Sequence, residues 1–152
     1  MSSKKKIKIE LPFQIIGMEV VESCFVDNDE AQIENVEFLT QDKFTFLISL
    51  THQADVNNEI LVVKPKITIK NEKTNVEYAS FVTKCLFSFK DLKKYLNKNQ
   101  LDIPQNYIDR LSSIAISSTR GIVFSELKST YLKNAIIPII DVSFFTYEKM
   151  KL

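Results

Sequence analysis

Between Phe13 and Phe89 apolar residues return at every second position in four stretches, and polar clusters separate them at the spacing of hairpin turns. Phe13 to Val26 sets Ile16, Met18, Val20, Cys24 and Val26 on one face, while Phe13, Ile15, Val21 and Phe25 make the other partly apolar. A polar loop starts at Asp27. Val36 to Leu50 then alternates Phe44, Phe46, Ile48 and Leu50 with Thr45, Leu47 and Ser49, and Thr51 to Glu59 reads as the next loop. Ile60 to Lys70 opposes Leu61, Val63, Ile67 and Ile69 to Lys64, Lys66, Thr68 and Lys70. Pro65 has no N–H to give a ladder, which predicts an edge position or a bulge there. Val76 to Phe89 places Phe81, Cys85, Phe87 and Phe89 on one face and Tyr78, Val82 and Leu86 on the other. Consecutive strands joined by short loops predict an antiparallel meander.

From Asp91 the period changes. Residues 91–100 predict a short exposed helix, and Pro104 suits the first turn of a long one that runs past Gly121 to about Tyr131. Tyr107, Leu111, Ile114 and Ala115 share its apolar spacing. Ser112, Ser113, Ala115, Ser117, Ser118 and Gly121 are small, so a second helix can approach closely, and that helix is expected from another subunit. Residues 134–140 must be extended around Pro138, and Asp141 or Ser143 is placed to cap a final short helix over 144–152. The predicted class is α+β: a four-stranded antiparallel sheet (meander) followed by a long helix and a short C-terminal helix. Residues 1–10 read as a basic flexible arm and 11–152 as a single domain.

Composition narrows the chemistry. The chain has 152 residues, two glycines and one histidine, too few for a phosphate-cradling loop or a multi-histidine metal site. Its longest apolar run, 135–140, is far below the ~20 residues that span a bilayer, and the N-terminus lacks the apolar stretch of a secretory signal. A cytoplasmic protein without membrane insertion is expected. Cys24 and Cys85 fall in strand patterns and read as small buried residues rather than a disulfide.

The net charge of +1 hides segregation. Residues 1–8 carry four lysines; residues 9–42 carry nine acids and no Lys or Arg. Such a stretch attracts basic partners and repels nucleic acid. The basic arm leads straight into it, so no nucleic-acid partner is expected.

No catalytic constellation forms. His52 lies near Asp55, but no serine or cysteine has the setting of an activated nucleophile. The acids at Asp27, Asp29 and Glu30 suggest a calcium loop, yet position six is Gln32 where glycine is needed and position twelve is Phe38 where glutamate is needed. No enzyme activity, cofactor or metal is expected. What stands out is a sheet with strands apolar on both faces and helices enough for only one. The other surface calls for a subunit interface or a groove for apolar ligands.

Residues 118–141, STRGIVFSELKSTYLKNAIIPIID, resemble the SecB family of bacterial export chaperones and its SecB-like members. Ser129, Thr130 and Tyr131 stand where that family has a small residue, threonine and an aromatic, Pro138 follows eight after Thr130, and Arg120 lies ten before it. The resemblance implies a homo-tetramer built as a dimer of dimers, and an ATP-independent holdase that binds non-native, extended hydrophobic polypeptides for export. A groove lined by Phe38, Phe44, Phe46, Tyr131, Phe144 and Phe145 is the expected client site. Glu19, Glu22, Asp27, Asp29 and Glu30 would form the acidic surface that docks the SecA motor ATPase in better known members. The alternative is an oligomeric adaptor, or a toxin-antitoxin-associated chaperone, docking one specific partner.

Overall fold

β3 (Ile60–Asn71) and β4 (Glu77–Phe89) carry the cleanest alternation, and in the computed structural model they form the middle of a four-stranded antiparallel sheet. The structure describes residues 11–26, 43–145, 147 and 149–152. The basic arm, residues 1–10, and the acidic residues 27–42 lie outside these residues. β1 (Phe13–Phe25) and β2 (Phe44–Asp55) are the two edges, in the order β1-β4-β3-β2. The expected meander is therefore corrected to a Greek key. Short hairpins fix only β2, β3 and β4 as neighbours; β4 is apolar on both faces and takes an interior place, with β1 beside it. Phe13 opposes Phe89 and Ile15 opposes Phe87, while Ile16 and Val21 are extra residues at two register shifts.

On one face Leu61, Val63, Ile67 and Ile69 of β3 and Phe81, Cys85, Phe87 and Phe89 of β4 are fully buried. α1 (Gln105–Leu127) covers them with Ile108, Leu111, Ala115, Val123 and Leu127, which recur at helical spacing. Thr83 of β4 and Thr119 of α1 meet inside this interface at 2.6 Å. Pro104 precedes the helix, and its carbonyl accepts from the Tyr107 and Ile108 amides. The helix stops at Leu127, four residues before the expected end, where the amide and hydroxyl of Thr130 both bond the Leu127 carbonyl.

Several expectations give way to local chemistry. β2 runs on through Thr51–Asp55, because His52 and Ala54 still face the helix side while Thr51 and Gln53 face out. The turn begins only where the Asp55 carboxylate accepts from the Asn58 amide and side chain. Pro65 lies in an interior strand with no bulge; the β3–β4 ladder omits Lys64 and Pro65 and resumes in the same register. The predicted helix over 91–100 is instead a 3-10 turn, Leu92–Tyr95, and a hairpin of β5 (Leu96–Asn97) and β6 (Gln100–Leu101). Lys98 and Asn99 both have positive φ, the geometry of a type I′ turn. The predicted C-terminal helix is also absent. Asp141 does cap a turn by accepting from the Ser143 amide, but that turn is one 3-10 turn, Val142–Phe144, and the chain ends in β7 (Met150–Lys151), paired with β6. Met150 is buried in the core near Leu101, a contact that an exposed terminal helix would give up.

Candidate functional site

Leu50 and His52 close the last stretch of β2 on its helix side, Ile108 and Ser112 face them from α1, and the C-terminal segment passes over both. These three elements enclose an open cleft of about 380 Å³, walled also by Val142, Phe145, Tyr147 and Met150. Five apolar residues and seven polar ones, Thr51, His52, Gln105, Asp109, Ser112, Tyr147 and Lys149, line it, and its size suits a ligand side chain or short peptide. His52 Nε2 and Ser112 Oγ are 3.0 Å apart, and the Tyr147 ring meets the imidazole edge-on at 5.6 Å. Burial lowers the His52 pKa, so the ring is neutral at physiological pH. Burial likewise raises the Tyr147 pKa. The cleft thus combines a neutral imidazole and phenol with the charged Asp109 and Lys149 among its lining residues.

His52 and Asp55, close in sequence, are not paired in the structure. Three positions apart on one strand, the two side chains point to opposite faces, and the Asp55 carboxylate is held by Asn58 instead. Ser112 is largely buried on the helix side of the cleft, where its hydroxyl meets His52.

The six aromatic candidates separate. Phe145 lies in the cleft wall, and Phe144 beside it is 85% exposed. Phe44 is a correction: it is buried against Phe46 and Tyr78 and is part of the core. Phe46 is half-buried on the same cluster, and the Tyr131 hydroxyl donates to the carbonyls of Val26 and Tyr78, far along the sheet from the cleft. Phe38 lies outside the described residues. Sequence reasoning missed Leu50, Val142 and Met150 as cleft residues. The continued alternation of Leu50, His52 and Ala54 was the available signal for the first of them.

Of the acidic candidates, Glu19 and Glu22 are exposed on the outer face of β1, where Glu19 reaches Lys84 at 3.3 Å. Asp27, Asp29 and Glu30 lie outside the described residues. Cys24 is exposed on this same face, contrary to expectation, and Cys85 is buried; both are free thiols. The Cys24 position opposes Ser80 on the uncovered side of the sheet.

Two more apolar surfaces remain open. α1 packs along β3 and β4, so Ile15, Val20 and Phe25 of β1 stay exposed although they share the covered face with Phe87, Thr83 and Ala79. On the far side of α1, a hollow of about 270 Å³ lies between Ser117, Gly121 and Phe124 and the extended residues 135–137. Arg120 fixes that extended segment, its Nε and terminal nitrogen both donating to the Ile137 carbonyl at 3.2 and 3.0 Å.

Among solved structures, the chain is similar to a SecB-like chaperone from Mycobacterium tuberculosis, determined in complex with a ChAD peptide from the HigA1 antitoxin. The TM-score is 0.58 at 12% identity, covering 85% of this chain and 91% of that one. The fold is SecB-like. A protein of unknown function from Streptococcus agalactiae is more distant, with a TM-score of 0.40 at 9% identity over 76% of this chain and 87% of that one. No protein-family model and no curated protein matches the sequence. The SecB-like neighbour is a chaperone rather than an enzyme, and among the described residues no helix is long and apolar enough to cross a membrane.

Proposed function

We propose that this protein is an ATP-independent chaperone that holds extended, apolar segments of non-native polypeptides. The open cleft beneath the C-terminal segment carries this reading: Leu50, Ile108, Val142, Phe145 and Met150 give it an apolar part beside a neutral imidazole, on a fold shared with a chaperone seen with a bound peptide. Burial of apolar area, at about 25 cal/mol per Å², supplies the affinity, and selectivity among apolar side chains is accordingly low. Phe145 lines the binding site and the exposed Phe144 extends it. The chain works in the cytoplasm as a homo-tetramer, which accounts for the apolar surfaces its own helix leaves open.

A reduced, unfolded client tests the reading. Its aggregation should be suppressed without nucleotide, and Phe145→Glu, which puts a charge in the cleft wall, should weaken client binding at least tenfold. Unabated aggregation at equimolar tetramer would sink it. The neighbour's antitoxin peptide favours a second reading, a chaperone dedicated to one partner in a toxin-antitoxin system. A panel of unrelated clients separates the two: comparable protection of all supports a general holdase for export, and protection of one favours the dedicated form. Docking of the SecA motor on the acidic surface of Glu19, Glu22, Asp27, Asp29 and Glu30 belongs to the export form; of these, Glu19 is ion-paired with Lys84 at 3.3 Å.

A further inference from the structure

His52 is where the three walls of the cleft meet. β2 supplies the imidazole, α1 reaches its Nε2 with the Ser112 hydroxyl at 3.0 Å, and the C-terminal segment sets the Tyr147 ring edge-on against it at 5.6 Å. The ring is half-buried, and Ser112 is its one hydrogen-bond partner among the described residues. That is enough for the neutral form, which has a single N–H and can place it from Nε2 on the serine oxygen. An imidazolium carries an N–H on both nitrogens and needs a second acceptor, at Nδ1.

The described residues around the ring offer none. Asp109, from α1, accepts from the Gln105 side chain, and no carboxylate forms an ion pair with His52. Lys149, from the C-terminal segment, is a cation itself and is held at 3.1 Å by Asp102, the residue after β6. Val63, opposite His52 on β3, is apolar, and the Tyr147 hydroxyl is not bonded to the ring. Water entering through the open mouth is therefore what solvates the charged form. A polypeptide segment resting on Leu50, Val142 and Phe145, which share the cleft with the imidazole, displaces that water. A positive charge on the covered ring then has neither solvent nor counter-ion.

We propose that client capture in the cleft is coupled to proton loss at His52: the cleft holds a client while the ring is neutral and releases it when the ring takes up a proton. The proposal rests on the client-binding reading above and adds the regulation of that site. Coupling is reciprocal, so a bound client also makes His52 harder to protonate. With one proton exchanged, the client's dissociation constant is level where the free ring is neutral and rises by up to about tenfold per pH unit below the free ring's titration point. That point lies below 6.5, because burial already disfavours the charged ring. The other titratable lining groups stay out of the way: aspartate and lysine ordinarily change charge outside the range from about pH 5 to 7.5, and burial moves the Tyr147 phenol further above it.

His52 is the only histidine, so its ring protons give one assignable set of NMR signals in the full chain, and its titration can be followed directly. The probe is a rhodamine-labelled, extended apolar peptide free of histidine and acidic residues. With the peptide saturating, the midpoint of the His52 titration should move down by half a pH unit or more. By anisotropy, the peptide's dissociation constant should be at least threefold higher at pH 5.0 than at pH 7.5, with circular dichroism native at both. His52→Gln keeps a hydrogen-bonding side chain that takes no charge; whatever its affinity at pH 7.5, that affinity should hold down to pH 5.0. A His52 midpoint unmoved by bound peptide, or a His52→Gln chain that loses affinity in acid as wild type does, overturns the coupling. If His52→Gln does not fold, the NMR titration of wild type decides alone. Tight binding indifferent to pH sinks the coupling and leaves the holdase reading standing, whereas a peptide that fails to bind wild type at pH 7.5 sinks both.

Discussion

His52 is the chain's single histidine, and its position between strand, helix and terminal segment makes its protonation state a structural matter. Desolvation lowers its pKa from 6.5, so the unfolded chain takes up a proton at a pH where the native ring is still neutral. Stability is therefore complete above pH 6.5 and falls as pH drops below that value toward the native pKa. Of the charged residues at the cleft, Lys149 is ion-paired with Asp102 at 3.1 Å, and Asp109 accepts from the Gln105 side chain. Urea midpoints should decline between pH 7.5 and 5.5 for wild type, and His52→Gln should flatten the decline. The carboxylates of Asp55, Asp91 and Asp141 act in a lower window: hydrogen bonds depress their pKa values below 3.8, and the stability they add is lost only under stronger acid. An unchanged slope in His52→Gln would remove the histidine from the account. A second single-residue test lies in the buried threonine pair. Thr119 donates its proton to the Ala115 carbonyl, so Thr83 must donate to Thr119. Thr119→Val strands the Thr83 hydroxyl and should cost about 1–3 kcal/mol in denaturant unfolding, while Thr83→Val with Thr119→Val should recover much of it. Equal losses in the single and double variants would contradict this pairing.

Elements were legible in the sequence where one face is buried and the next residue is not. β3 and β4 alternate because α1 covers one side only, and their observed bounds lie within about a residue of the expected ones. β2 was misread at its end because His52 and Ala54 are weak apolar markers, and it is their packing against α1 that continues the strand. The C-terminus was misread for the opposite reason. Asp141 and Ser143 suggest a helix cap, but Phe145, Tyr147 and Met150 each find a wall in the tertiary structure that an extended chain reaches. The candidate site suffered equally: aromatic content showed which rings were present, and no local pattern says that Phe44 turns into the core while Phe144 turns out. Arg120 illustrates an element held by one side chain. Its two-point donation to the Ile137 carbonyl anchors residues 134–141 to α1, so Arg120→Gln should raise amide hydrogen exchange in that segment while β3 and β4 keep their protection. Unaltered exchange there would assign the anchoring to the packing of Ala135 and Ile137 instead.

At the scale of the whole molecule, charge and apolar surface occupy different places, and this separates the two kinds of partner the chain could hold. The outer sheet face is banded: Glu19 and Glu22 lie on β1, while Lys64 and Lys66 lie on β3 and Lys84 lies between on β4. Opposed bands so close neutralise each other at a distance. The cleft is on the other face, with its histidine kept neutral by burial. Apolar capture there draws on area removed from water, which salt does not weaken, whereas docking on the banded face depends on charges that are screened as the Debye length shrinks from about 10 Å at 0.1 M to about 3 Å at 1 M. Fluorescence anisotropy with a labelled, unfolded apolar peptide should then give dissociation constants that agree within about threefold across that range. A tenfold or greater loss of affinity at high salt would move the binding to the charged face and favour an adaptor over a holdase. Because Phe145→Glu touches only the cleft and Glu22→Lys only the band, whichever variant abolishes the anisotropy change identifies the face in use.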